Sequence, residues 1–317
     1  MINDRPTYLR VNLDALLNNY KKLRNLNPGK IALAIVKADS YGLGSKVIAD
    51  YLYKNGVRNF ATATLEEALE LKDVVKESMV LVLGVTNPKN VKYAVENDIS
   101  LTCPSKEWFE ETLKELEKID GKLKFHIKLE TGMNRIGTSE EKELMEIHNL
   151  FYSEKTEFEG IFSHYSNADG EDNEYDDYQT ANFNRLVELF KLKPKYIHID
   201  NSAGVIKYSD RDDICNLSRI GIALYGCYPS SNIEKLNKVS LEPVVSLVSK
   251  VTHVKKVPKG TKVGYGISYE ALEDEYIATI PIGYADGLLR RAQGFKLNVA
   301  GEECEVVGRV CMDQLMV

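Results

Sequence analysis

The sequence predicts an α/β protein: an eight-stranded parallel α/β barrel of TIM type followed by a mainly β C-terminal domain. Three observations predict it. Eight short apolar runs rich in β-formers recur through the first two-thirds of the chain. Amphipathic stretches with apolar residues three and four apart separate them, and such an alternation gives a parallel sheet that eight strands most naturally close into a barrel. The rhythm then stops near Pro229, and only strand-like runs and turn residues follow.

The runs fall at residues 31–36, 59–64, 79–85, 99–103, 124–129, 158–164, 196–199 and 220–225. Between them, Val47, Ile48, Tyr51 and Leu52 mark one helix face, and Trp108, Phe109, Leu113 and Leu116 another. Ser45, Ser105 and Ser139 stand where N-caps are expected. An open doubly wound sheet would want a G-x-G-x-x-G turn after the first strand, and the segment there, KADSYGLGS, lacks it. Beyond the break, runs at 244–254, 275–282, 296–299 and 305–310 are set off by Pro258-Lys259-Gly260 and by Ala300-Gly301. The domains are expected at 1–232 and 233–317, with the first ~10 residues pairing with the β domain. The chain stops at Met316-Val317 inside a strand-like run, so a C-terminal continuation is expected.

A chain of 317 residues, 44% hydrophobic and 28% charged, has ample material for a sizeable core and is not a disordered polymer. Forty-one basic against 47 acidic residues leave a net charge of −6, which excludes an electrostatic nucleic-acid binder. Five cysteines with no C-x-x-C pair suit free thiols in a reducing compartment. The N-terminus has no apolar signal core and no apolar run is long enough to span a bilayer, so the expected location is cytoplasmic, without a membrane partner. His126, His148, His164, His198 and His253 show no ligand spacing, and no metal is expected.

Barrel active sites lie at the C-terminal ends of the strands. The polar residues there are Lys37 after the first run, Lys128 to Arg135 after the fifth, His164 after the sixth and Ser202 after the seventh, with Arg219 at the entrance to the eighth. Lys37 alone is either a solvent-turned lysine or an amine of lowered pKa suited to Schiff-base chemistry. His164 is a core histidine or a site residue, and Arg135 and Arg219, taken alone, are salt-bridge residues.

Taken together, the blocks carry a resemblance. VKADSYGLG around Lys37, KLETGMNRIG (128–137), SHYSNAD (163–169), HIDNSAG (198–204), RIGIALYG (219–226), VGYGISY (263–269), PIGYADG (281–287) and VGRVCMDQ (307–314) resemble, in order, the blocks of the alanine racemases. The resemblance implies a cofactor, pyridoxal 5′-phosphate (PLP), held by Lys37, and a two-base interconversion of L- and D-alanine. Lys37 would serve one face of the substrate α-carbon and Tyr265, reaching in from the other subunit of a homodimer with shared active sites, the opposite face. It also implies Arg219 at the pyridine nitrogen, His164 against the ring, and Tyr41, Ser202, Gly221 and Ile222 at the phosphate. Arg135, positioned by a carbamylated Lys128, would meet the substrate carboxylate, and Met312 and Asp313 would border the pocket from the partner. The physiological expectation is D-alanine supply for peptidoglycan.

Departures from the family are Leu43 for histidine, Asn134 for glycine, Glu130 for aspartate, and Ser166-Asn167 for smaller residues. The family also continues past the MDQ block, where a further tyrosine narrows the pocket. A serine or broad-specificity racemase is therefore the nearest alternative. A PLP-dependent decarboxylase shares the two-domain plan but binds phosphate through a glycine-rich run, and no Gly-Gly pair occurs here. A non-catalytic PLP-binding protein would lack the second domain.

Overall fold

Parallel pairing links Ile31–Ile35, Asn59–Thr62 and Met79–Val82 to one another, and Leu101–Cys103, Leu123–Lys128, Thr156–Phe162 and Tyr196–His198 to one another, in the computed structural model, which describes residues 5–151 and 153–317. The eighth strand, Leu217–Ile220, lies beside the first. Two seams close the ring. Val82 N–H donates to Ser100 O at 2.9 Å between strands three and four, and Asn216 N–H donates to Ile197 O at 3.0 Å between seven and eight. The strands read as near-continuous apolar runs because helices cover their outer face while the barrel interior covers the other. Ala32, Leu33, Ala34 and Ile35 are all buried, for example.

Local chemistry fixes the helices. Ser105 Oγ accepts from Trp108 N–H at 3.3 Å, starting the helix Lys106–Leu116 as expected. Ser45 is instead the first residue of the helix Ser45–Lys54; Gly44 precedes it at φ 95°, and the Ser45 N–H is met by Asp39 Oδ1 at 2.7 Å. Ser139 caps nothing either, because Thr138 Oγ1 already takes the Glu140 N–H at 3.1 Å and the helix starts at Glu141. The eighth run is also displaced. Residues 222–225 form a 3₁₀ turn after Gly221, and the strand takes in the polar pair Ser218-Arg219, so Arg219 lies within the strand rather than at its entrance. Its side chain finds enough acceptors inside the barrel to be tolerated there, which an apolarity pattern does not reveal.

The chain divides into two compact units, Asn12–Val244 and Val245–Val317 with the described part of Met1–Val11. The helix Ser231–Lys235 belongs to the first. In the second, Tyr8–Val11 pairs antiparallel with Val245–Val248; residues 1–4 of the segment expected to pair there lie outside the described residues. His253–Val257, Glu275–Ile280 and Leu315–Met316 form a three-stranded sheet, with Ile280, Ile282, Val306, Val310 and Leu315 in its core. The run expected at 244–254 thus splits in two. The run at 305–310 gives way to Glu302–Glu305, because Ala300 and Gly301, both at positive φ, form a tight turn that sets Val299 opposite Glu302. No helix is long and apolar enough to cross a membrane among the described residues.

Candidate active site

The chain leaves the first barrel strand through a left-handed turn. Ala38, Asp39, Ser40 and Tyr41 all have φ between 51° and 59° with ψ between 33° and 50°. For L-residues this costs about 1–2 kcal/mol apiece, so the surroundings must over-determine it. They do. Ala38 N–H donates to Glu67 Oε1 at 2.8 Å, and Leu43 and Gly44 N–H both reach Asp39 O, at 2.9 and 3.0 Å. The Tyr41 ring packs on Tyr225 at 4.8 Å, whose hydroxyl donates to Ile35 O at 2.9 Å. Glu67 is held in turn by the capping box it forms with Thr64 at the helix Leu65–Lys72.

That turn delivers Lys37 and Tyr41 to one cavity of about 260 Å³. His164, Ser202, Arg219, Gly221 and Ile222 line it too, so seven of the residues singled out from the sequence meet there. An adjoining cavity of about 290 Å³ shares Lys37, His164 and Arg219 and adds Lys128 and Arg135. Asn201 and Ala203, beside Ser202 at the end of the seventh strand, line the first cavity too, while Leu83, Asp169 and Pro229 also line it and were not singled out from the sequence. Leu83 follows the third strand directly, and a search confined to polar residues at strand ends passes over it.

Ser202 opens the helix Ser202–Lys207, whose preceding Asn201 side chain accepts from Gly204 N–H at 3.0 Å. Ser202 Oγ accepts from Gly221 N–H at 2.9 Å and Ala223 N–H at 3.3 Å. A Cβ on Gly221 would stand 3.2 Å from Tyr41 Oη and 3.5 Å from Ser202 Oγ, so two hydroxyls converge on the space that a side chain there would fill.

Arg219 is 3% exposed and ringed by acceptors. Its Nη1 donates to His198 Nδ1 at 2.7 Å, and its Nη2 faces Ser163 O at 2.8 Å, Ile199 O at 2.8 Å and His164 Nδ1 at 2.9 Å. Burial lowers the guanidinium only to about 10, which leaves it charged at neutral pH. Burial, then Arg219, Arg135, Lys128 and Lys37, push His164 down to about 2, so it is a neutral acceptor.

Lys128 is buried, donates to Leu129 O at 2.6 Å, and sits 5.6 Å over the Phe162 ring. Burial lowers its amine to about 7 against the pull of Glu130. Glu130 Oε1 accepts from Gly132 N–H at 2.5 Å. Asn134, where the resembling family has glycine, adopts φ 53°, a conformation that asparagine tolerates better than most residues. Arg135 is exposed.

The second unit carries the remaining predicted residues. Tyr265 begins a 3₁₀ turn between Gly264 and Gly266, both at positive φ, and is 66% exposed beside a cavity with His253, Lys255 and Cys311. Met312 and Asp313 are exposed on a turn closed by Cys311 N–H to Gln314 O at 2.9 Å. Met312 O accepts from Ala285 N–H at 3.0 Å.

Comparison with known proteins adds to this geometry. Residues 11–229 match the family model described as alanine racemase, N-terminal domain, and residues 244–317 match alanine racemase, C-terminal domain. A protein named alanine racemase from Macrococcus caseolyticus is 42% identical over 313 residues, covering 98% of this chain and 81% of that protein. A crystal structure of alanine racemase from E. faecalis superposes with TM-score 0.90 at 36% identity, covering 100% of this chain and 86% of that one. A histidine racemase from Leuconostoc mesenteroides gives TM-score 0.89 at 29% identity, covering 99% and 85%.

Proposed function

The chain belongs to the alanine racemase family, and on that premise we propose that it interconverts L-alanine and D-alanine with PLP held on Lys37. The observation that carries this reading is a single cavity in which an amine, a hydroxyl-and-amide cradle and a buried guanidinium stand together. The donor set fits the cofactor. The Ser202 and Tyr41 hydroxyls converge on the space over Gly221 where a phosphate would be held, with the Gly221 N–H, which donates to Ser202 Oγ, beside it, and that space is one that any Cβ would fill. When bound, PLP supplies a conjugated sink for the electron pair left at Cα as its proton departs.

The chain's own residues do the rest. Lys37 takes or returns the Cα proton on one face, and Tyr265 does so on the other, so the substrate need not turn over. Tyr265 is contributed by a second copy of the chain, the functional unit being a homodimer. Arg219 stays cationic at neutral pH and would hold the ring nitrogen of bound PLP by donating a hydrogen bond while keeping its proton. Arg135 attracts the substrate carboxylate, while Met312 and Asp313 border the pocket from the partner. The lowered Lys128 amine suits reaction with carbon dioxide to a carbamate plus a proton, and the carbamate would then pair with Arg135. Five free cysteines suit a reducing compartment such as the cytoplasm.

A racemisation assay across alanine, serine, lysine, glutamate and histidine tests the reading. Alanine is expected to turn over fastest, and only after PLP is loaded. Turnover of another amino acid with none of alanine would replace alanine as substrate. The similarity to a histidine racemase is what favours testing that broader specificity.

A further inference from the structure

Arg219 is one end of a buried chain of hydrogen bonds that crosses the barrel interior to Glu159. His198 Nδ1 takes the bond from Arg219, and His198 Nε2 lies 3.0 Å from His126 Nδ1. His126 Nε2 lies 3.1 Å from Glu159 Oε2, which also accepts from Ser100 Oγ at 2.5 Å. Both imidazoles are fully buried. None of the roles proposed above uses His126, His198 or Glu159.

Donor counting gives this chain one direction. A guanidinium has only donors and a carboxylate only acceptors. Arg219 must donate to His198 Nδ1, so the His198 proton is on Nε2 and points at His126 Nδ1. That nitrogen must therefore be bare, and the His126 proton is on Nε2, aimed at Glu159. Reversing any one link would set two N–H groups, or two lone pairs, against each other in a dry interior.

The backbone is shaped for this arrangement. Strands five and six slip register at Phe125/His126, so that Phe125 pairs with Phe158 and His126 with Gly160, leaving Glu159 as the extra residue of a bulge. A Cβ on Gly160 would come within 2.2 Å of His126 Nδ1, so glycine is what lets the imidazole lie there. His198 stacks on Phe162 at 5.0 Å and 6°, and His126 on Tyr196 at 5.8 Å and 21°, which fixes both rings. Burial works against the Glu159 charge, but the bonds from His126 and Ser100 and the nearby Lys124 hold the carboxyl below its usual range.

We propose that Glu159 is a positioning residue for the reaction: through His126 and His198 it fixes the acceptor that holds Arg219 in place at the cofactor ring. The inference rests on the proposed placement of Arg219 at that ring. Losing the carboxylate leaves His126 Nε2–H without an acceptor, weakens each bond upstream and loosens the guanidinium.

The test is ¹⁵N-histidine NMR, first on the chain without cofactor and then on the PLP-loaded enzyme, together with Cα-proton exchange of alanine. In the unmutated protein both His126 and His198 are expected to carry their proton on Nε2. In Glu159→Leu the His198 Nδ1 resonance is expected to move, and exchange to fall about three- to tenfold through the loosened Arg219. Glu159→Gln keeps an acceptor oxygen without the charge and is expected to give a smaller shift in the same sense. It carries the test if Glu159→Leu does not fold. Ser100→Ala removes the other bond to the same oxygen and is expected to leave His198 unmoved. A proton on Nδ1 of either ring, or an unmoved His198 in the folded Glu159 variants, overturns the proposal. The two readings fail separately: the NMR on the cofactor-free chain decides the relay even if alanine is not a substrate. Conversely, a failed relay leaves racemisation by the unmutated enzyme untouched.

Discussion

The barrel unit buries its chemistry, and the β unit displays its own. Arg219, His198 and Lys128 lie within the barrel with their pKa values lowered by burial, and each is held by partners within the barrel unit. Tyr265 and Met312 are 66% and 55% exposed, the first on a short turn between two glycines and the second on a turn tied by the Cys311–Gln314 and Ala285–Met312 backbone bonds. Leu272, Tyr276 and Phe295 on the same unit are exposed as well. One half is thus preorganised by its own core. The other offers groups that gain a defined environment only when something else covers them, which is what the proposed sharing of sites between two subunits would provide.

The largest expected effect lies on the barrel side. Lys37→Ala is expected to abolish racemisation and to leave no lysine at that position through which borohydride can trap the cofactor; trapping on a different lysine would move the site. Next comes the displayed side. Tyr265→Phe should slow Cα exchange of L-alanine by about 10²–10⁴-fold while D-alanine exchange, served by Lys37, persists. Equal losses for the two enantiomers would break the division of labour. Mixing Lys37→Ala with Tyr265→Phe subunits is expected to recover some activity, since certain mixed sites regain both bases. No recovery after demonstrated subunit exchange would place Tyr265 and Lys37 of one site on one chain.

A smaller effect probes burial itself. Lys128 has its amine lowered to about 7 in the folded chain, against about 10.4 unfolded. Between those values the unfolded chain binds the extra proton, so stability should rise with pH from about 7 to about 10 and be flat in this group outside that window. Denaturant titrations of Lys128→Met in carbon-dioxide-free buffer should lack that part of the slope. Identical pH profiles for the two proteins would show that Lys128 is not desolvated as the structure has it. Smallest of all, Asp39→Ala should cost about 1 kcal/mol of stability, because the Ser45 N–H loses its carboxylate acceptor; no change in thermal midpoint would show that the bond is not formed in solution.

Much of this architecture is legible in the sequence because barrel strands are apolar on both faces, whereas of the three serines expected as caps only Ser105 serves as one. Short apolar, β-rich runs announced seven of the eight strands at nearly their observed positions. The eighth failed where a buried arginine and serine interrupt the run, since polarity reads as an edge unless the acceptors are known. The cavity residues were legible as motifs, yet the relay beneath them was not. His126, His198 and Glu159 come from three different strands, and each alone looks like an ordinary polar residue in a core. Only the bulge that turns Glu159 toward His126 unites them, and a bulge leaves no periodic trace.

The turn from Ala38 to Tyr41 has the handedness that residues of the opposite chirality prefer. A semisynthetic chain carrying the mirror-image alanine at position 38 would therefore relax there, where every ribosomal non-glycine residue is held against its own stereochemical preference. The segment joining the first strand to Tyr41 is, in this sense, a short stretch of inverted backbone maintained entirely by its neighbours. Any change that loosens Glu67 or Tyr225 lets it revert, and the amine beside it loses its bearing.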